Sequence, residues 1–300
     1  MVNKAAYRRD RHTSAARRPY ARQTWAIPAL FAINAAFAAL CTTPAAADPA
    51  PARVVSINLC TDQLAMLLAA PGQLVSVSDL ATDIRSSSMV DQAAAYPANH
   101  GGAEEVFLLH PDLVLAGTYT TLGSVDMLRR LGVRVVQVPP VNALDQVPEQ
   151  IIAVGQALGR EDAARKLVAE FQAGLAALAV DLPPATAALY FPNGYTTGKG
   201  TLADDVLTRT GFANVGATAG LTGGGTLPLE RLVLAEPQVV VTSTPYPGAS
   251  RAEEILSHPA LAEIRKKAGI SAASDADWVC GTPYILRAVA GMRQAREALK

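Results

Sequence analysis

From Arg53 onwards, short aliphatic and β-branched runs alternate with stretches whose apolar positions recur at helical spacing. Val54-Val55-Ser56-Ile57 reads as a buried strand, and Thr61 to Ala70 as the helix that follows it. Leu74–Val77, Leu113–Ala116 and Val133–Val138 are further strands, with helical segments at 104–110 and 124–131 between them. Strand and helix taking turns predicts parallel strands joined by crossover helices. The second half repeats the style. Ala187–Phe191 and Val239–Val241 are expected strands, while Leu202–Thr210, Leu229–Ala235 and Ala252–Leu256 are expected helices. Ile285 to Leu299 closes the chain as a helix.

Between the halves the pattern is purely helical, over Asp145–Leu158 and Glu161–Val180, with a break at Gly159. Leu167, Phe171, Leu175 and Leu178 form one apolar stripe along the second helix. Pro183-Pro184 ends it. Twenty residues of helix span about 30 Å, enough to bridge two lobes. The expected fold is therefore α/β: two Rossmann-like lobes, 48–144 and 183–300, joined by a single long interlobe helix within 145–182.

Composition changes this picture at the N-terminus. Residues 1–47 carry seven basic groups against one acid, Asp10. Removing these from the 26 and 26 of the whole chain leaves 19 basic and 25 acidic groups, a net charge of −6. A mildly acidic body argues against a nucleic-acid partner. The basic stretch ends at Arg22, an apolar run spans Trp25 to Cys41, and Pro44-Ala45-Ala46-Ala47 supplies small residues at a cleavage site. This is the layout of an export signal, with the mature chain starting at Asp48. The run of 17 residues, interrupted by Pro28 and Asn34, falls short of the roughly 20 that a membrane-spanning helix needs. Arg17-Arg18 leaves the twin-arginine route open beside the Sec route. The expected location is the periplasm, an oxidising compartment. Cys60 and Cys280 there are open to pairing or to standing as two independent thiols.

One internal repeat is informative. Residues 104–115 read Glu-Glu-Val-Phe-Leu-Leu-His-Pro-Asp-Leu-Val-Leu, and residues 230–241 read Glu-Arg-Leu-Val-Leu-Ala-Glu-Pro-Gln-Val-Val-Val. Each is a glutamate, a short helix, a proline seven residues on, then a buried strand.

On these residues the chain resembles the metal-chelate class of periplasmic solute-binding proteins, which serve ABC importers of cobalamin, ferric siderophores and haem. The likeness runs from Arg53 to about residue 298. Arg53 to Asn58 resembles the family's first strand and turn. Gly194 to Leu202 resembles the loop opening the second lobe of cobalamin binders, and Asp277 to Pro283 the loop before the last helix, where a tryptophan faces the ligand. The resemblance implies a single interlobe helix and a glutamate on each lobe that meets arginines of the permease. The matching positions are Glu104, with Glu105 as its neighbour, and Glu230.

Ligands of such folds bind outside the carboxyl ends of strands. That places Asn58, Cys60, Tyr119, Tyr195 and Tyr246 at the cleft, with Trp278 and Cys280 from the late loop and His100 before Glu104. His100 is weighed as a metal ligand or as a hydrogen-bonding residue of a Gly-rich turn, and the turn is favoured. Pairing of Cys60 with Cys280 would lock the lobes, so free thiols or small packing residues are expected. Gly223-Gly224-Gly225 reads as a flexible loop.

Enzyme readings find little to stand on. Neither G-x-S-x-G nor H-E-x-x-H is present, and the four histidines His12, His100, His110 and His258 are scattered. No catalytic residue, resident metal or cofactor is expected. The expected role is a monomeric carrier of a bulky metal chelate, cobalamin or iron-siderophore, which it hands to an importer's permease. A haem carrier, or a periplasmic enzyme or sensor on the same fold, is the alternative.

Overall fold

The computed structural model describes residues 49–244, 248, 250–267, 269–271 and 275–299. The export-signal expectation for 1–47 and the cleft position of Tyr246 lie outside the described residues.

The first lobe is built on β1 (Val54–Ser56), β2 (Leu74–Ser78), β3 (Ala98–Asn99), β4 (Leu113–Gly117) and β5 (Arg134–Val138). These form one parallel sheet in the order β3-β2-β1-β4-β5. The crossover helices are α1 (Leu59–Leu68), α2 (Val90–Ala93), α3 (Ala103–Leu108) and α4 (Leu122–Arg130). Val54, Val55 and Ser56 of β1 are all buried, as expected of a strand covered on both faces. Asn58 starts α1: its Oδ1 accepts from the backbone N–H of Cys60 at 3.1 Å and of Thr61 at 3.5 Å.

α5 (Val147–Leu158) and α6 (Glu161–Ala177) connect the lobes. Pro148 sits in the first turn of α5, and Gly159 ends that helix in the left-handed conformation, φ 67°. The two helices cross closely, since a Cβ on Gly155 would lie 2.3 Å from that of Ala164. At its far end α6 meets the second lobe, where a Cβ on Gly174 would lie 2.7 Å from Leu286. Phe171 is buried, and Leu167, Leu175 and Leu178 pack partly buried against the same core. The helix stops at Ala177 rather than Val180, so it spans about 26 Å.

The second lobe comprises β6 (Ala185–Leu189), β7 (Tyr195–Thr197), α7 (Leu202–Arg209), β8 (Phe212–Asn214), α8 (Val215–Thr218), β9 (Gly224–Thr226), α9 (Leu229–Ala235), β10 (Val239–Val241), α10 (Pro259–Lys267), β11 (Gly269–Ser271), α11 (Asp275–Val279) and α12 (Ile285–Ala298). Its parallel sheet runs β11-β10-β6-β8. β10 lies beside β6 as β4 lies beside β1, so the sequence repeat falls at equivalent places in the two sheets.

Three expectations are corrected here. Gly224-Gly225-Thr226 is a strand, paired antiparallel with Tyr195–Thr197, because glycine lets Tyr195 lie against it: a Cβ on Gly224 would come within 2.1 Å of the Tyr195 hydroxyl. Ala252–Leu256 is replaced by a 3-10 turn at Glu254–Ser257, followed by α10 starting at Pro259. Asp277 to Val279 belongs to α11, leaving only 280–284 as the loop before the last helix.

Candidate functional site

The carboxyl ends of β1, β4 and β5 converge on one small cavity of about 100 Å³. Asn58, Cys60 and Thr61 supply its wall from the start of α1, and Gly117, Thr118 and Tyr119 from the end of β4. Val138–Val141 follow β5, Gln150 comes from α5, and the second lobe contributes Val279 and Gly281. The strand order reverses between β1 and β4, where open parallel sheets bind ligands. The site is therefore a consequence of topology. Asn58 serves it twice, since the side chain that caps α1 also lines the cavity. Gly117 permits this, because a Cβ there would lie 2.9 Å from Asn58 Nδ2.

One residue of the cavity wall, Cys60, is covalently tied to the second lobe. Cys60 and Cys280 form a disulfide, with their Cα atoms 5.3 Å apart. This overturns the expectation of free thiols or plain packing residues. Sequence separation hid the pairing: α1 and the loop after α11 meet only because the lobes face one another. The joint is reinforced by a buried hydrogen bond. Thr282 Oγ1 donates to Gln63 Oε1 at 2.9 Å, and both side chains are fully buried. Gly281 lies so close to Val141 that a Cβ on it would approach to 2.4 Å. Further polar contacts cross between the lobes: Ser88 Oγ donates to the Ala276 carbonyl and to Asp277 Oδ1, each at 3.0 Å.

The remaining expected residues scatter. Tyr119 borders the cavity and is 88% exposed, an aromatic face without cover. Tyr195 sits in the β7–β9 ribbon, and Trp278 packs partly buried against the main core; neither lines the cavity. His100 resides in an exposed turn, its N–H donating to Glu105 Oε2 at 2.9 Å and its ring Nδ1 3.2 Å from Glu105 Oε1. That backbone donor, with the histidine ring, holds the Glu105 carboxyl below its usual range. Glu104 and Glu230 are exposed and form no ion pair among the described residues. Of the lining residues sequence reasoning named only Asn58, Cys60 and Tyr119, and missed the rest, Thr118, Gln150 and Gly281 among them. Gly281 carries the one readable signal, a glycine directly after a cysteine.

Among the described residues, no group of three or more histidine, cysteine or acidic side chains is placed to hold a metal ion. The buried acid Asp62 lies on α1 and serves structure: it accepts from Ser78 N–H at 3.1 Å and from the Ser78 hydroxyl. Burial raises its carboxyl to about 6.

Residues 54–269 match the model of a family described as periplasmic binding protein. The chain belongs to the periplasmic binding protein family. No curated protein matches it. Solved structures of periplasmic binding proteins share its fold at low identity. The apo periplasmic haem-binding protein RhuT from Roseiflexus sp. RS-1 is 22% identical, with 81% of this chain and 98% of that one covered and a TM-score of 0.67. The periplasmic vitamin B12 binding protein BtuF of Vibrio cholerae is 19% identical over 83% and 97% of the two chains, TM-score 0.63. A structure from Saccharomonospora viridis DSM 43017, described as an ABC-type Fe3+-hydroxamate transport system, is 22% identical over 83% and 94%, TM-score 0.62.

Proposed function

We propose that this periplasmic binding protein captures a metal chelate in the cleft between its lobes and presents it to the permease of an ABC importer. The observation that carries this reading is the repeated unit around Glu104 and Glu230. Each lobe holds an exposed acid on a short helix that leads through a proline into the strand beside the lobe's first strand. A carrier that must sit in one orientation on a two-part membrane protein needs such paired handles, because charge fixes register and speeds encounter more than it adds affinity.

The family's solved relatives bind haem, vitamin B12 or take part in Fe3+-hydroxamate transport, which sets the range of cargo considered. A cavity of about 100 Å³ seats one edge of such a ligand, since pockets that hold a whole small ligand measure roughly 300–1,000 Å³. Asn58, Thr118 and Gln150 offer polar fixings along that edge, and Tyr119 an open aromatic face for a flat chelate. Export by a cleaved signal ending at Ala47 accounts for the basic N-terminus and is part of the same reading.

The test is uptake of radiolabelled cobalamin, haem and ferric hydroxamates by cells lacking this chain. One of them should fail to enter, wild-type protein should restore it, and Glu104→Ala with Glu230→Ala should not, although the purified variant still binds that chelate. Full uptake by the double variant would remove the docking role; unimpaired uptake of every chelate in its absence would remove the carrier role.

A further inference from the structure

The two docking acids do not stand alone. Glu104 is followed three and four residues later by Phe107 and Leu108, which are 37% and 72% exposed. Glu230 is followed at the same spacing by Val233 and Leu234, 39% and 83% exposed. Side chains at i, i+3 and i+4 share one helix face, so each acid and its apolar pair point the same way. In both helices the residue at i+2, Val106 or Leu232, is the fully buried anchor. Apolar residues at helical spacing ordinarily mark the face turned to the core. In these helices that core face is Ala103, Val106 and Leu109, or Leu229 and Leu232, and the apolar pair lies beside it, turned outward, twice.

The backbone repeats as closely as the side chains. The residue before each proline, His110 or Glu236, takes a left-handed conformation, φ 48° and 42°. Positive φ is uncommon away from glycine, and among the described residues Asn193 is the only other non-glycine case. The two faces are therefore copies in shape as well as in sequence. On the first lobe the patch continues to Leu131, 45% exposed, which borders the same surface depression as Phe107.

We propose that each lobe docks on the permease through a mixed face, an acid with an exposed apolar pair, and that the apolar pairs hold the complex together once the acids have oriented it. The inference rests on the carrier reading above and extends it from charge to contact area. The occupant is set by duplication and charge. Two like faces on one chain fit a partner that presents one feature twice, as two symmetry-related permease subunits do. That feature must combine a cation for Glu104 or Glu230 with an apolar socket for the pair beside it. Charged groups chiefly govern association, whereas buried apolar contacts govern how long a complex lasts.

The experiment uses the mature chain and inner-membrane vesicles from the cells that make it, with protein-free vesicles of the same lipids as control. Three proteins are compared by surface plasmon resonance at several salt concentrations: wild type, Leu108→Ser with Leu234→Ser, and Glu104→Gln with Glu230→Gln. The leucine variant should dissociate at least about tenfold faster while keeping the wild-type association rate and its salt dependence. The glutamine variant should associate more slowly and lose that dependence. Chelate affinity should be unchanged in both, which shows that they are folded. A leucine variant that dissociates like wild type, beside a glutamine variant that fails, overturns the inference and leaves the carrier reading intact. If neither variant differs from wild type, or wild type does not bind, the inference falls together with the docking role of the two acids. Equal binding to protein-free vesicles would make the faces lipid contacts, and a self-association abolished by the leucine substitutions would make the occupant a second copy; either result overturns the inference.

Discussion

Cys60, the second residue of α1, is bonded to Cys280, 220 residues later in the loop that precedes α12. The bond gives the lobes a second covalent connection besides the α5–α6 segment, and it does so at the cleft. Any relative movement of the lobes is therefore constrained at this point, and the buried Gln63–Thr282 hydrogen bond adds to the constraint.

Closing so long a loop removes much of the unfolded chain's freedom. Replacing both cysteines by serine should lower unfolding stability by about 2–5 kcal/mol. The check is the urea midpoint with and without a dithiol reductant. Wild type should fall to the variant's level on reduction, and the variant should not respond. Spin labels on α4 and α7 should show a broader spread of interlobe distances in the variant.

Asp62 gives a pH signature of defined sign. Its folded carboxyl is raised to about 6 by burial, against roughly 3.9 unfolded. The folded state holds this proton more tightly, so the associated stability is complete below about pH 4 and lost as pH rises through 6. Asp62→Asn keeps an acceptor for Ser78 N–H and carries no charge. Its stability should exceed wild type by about 3 kcal/mol at pH 7 and by little at pH 4, from a shift of about two units. Glu105 and Asp83, whose carboxyls are lowered, act in the opposite sense in both proteins and cancel in the comparison. Melting curves from pH 4 to 8 supply the test.

Gly281 and Val141 are a steric pair across the lobes. Gly281→Ala should cost about 1–3 kcal/mol through overpacking, and Val141→Ala in the same chain should recover part of it. A double-mutant cycle by chemical denaturation measures the coupling, which should be clearly non-zero.

Gly117 keeps the Asn58 amide in place. Gly117→Ala should displace that amide from the cavity wall and weaken chelate binding about tenfold, the worth of one good hydrogen bond. Titration of the chelate monitored by intrinsic fluorescence would show it.

The lobes were legible in the sequence because their strands are buried on both faces and read as uninterrupted aliphatic runs, as at Val54–Ile57 and Val239–Val241. The repeat around Glu104 and Glu230 was legible for the same reason, with a proline fixing its frame. Where glycine replaces the aliphatic signal, as in Gly224–Thr226, strand and loop look alike, and only the Tyr195 partner decides. The Cys60–Cys280 bond and the Gly281 contact depend on how the lobes face each other, which no local pattern encodes. Trp278 illustrates the converse: its place before α12 fits a ligand contact, yet α11 turns it onto the core. The outward Phe107–Leu108 and Val233–Leu234 pairs lie inside apolar runs whose other members are core, so their exposure had to come from the structure.

The central claim is that this chain carries a metal chelate. Native mass spectrometry of the mature protein against cobalamin, haem and ferric siderophores tests it most directly. A one-to-one complex with one of these classes, unchanged by Glu104→Ala with Glu230→Ala, is the predicted result. The absence of a complex with every one of them would contradict it.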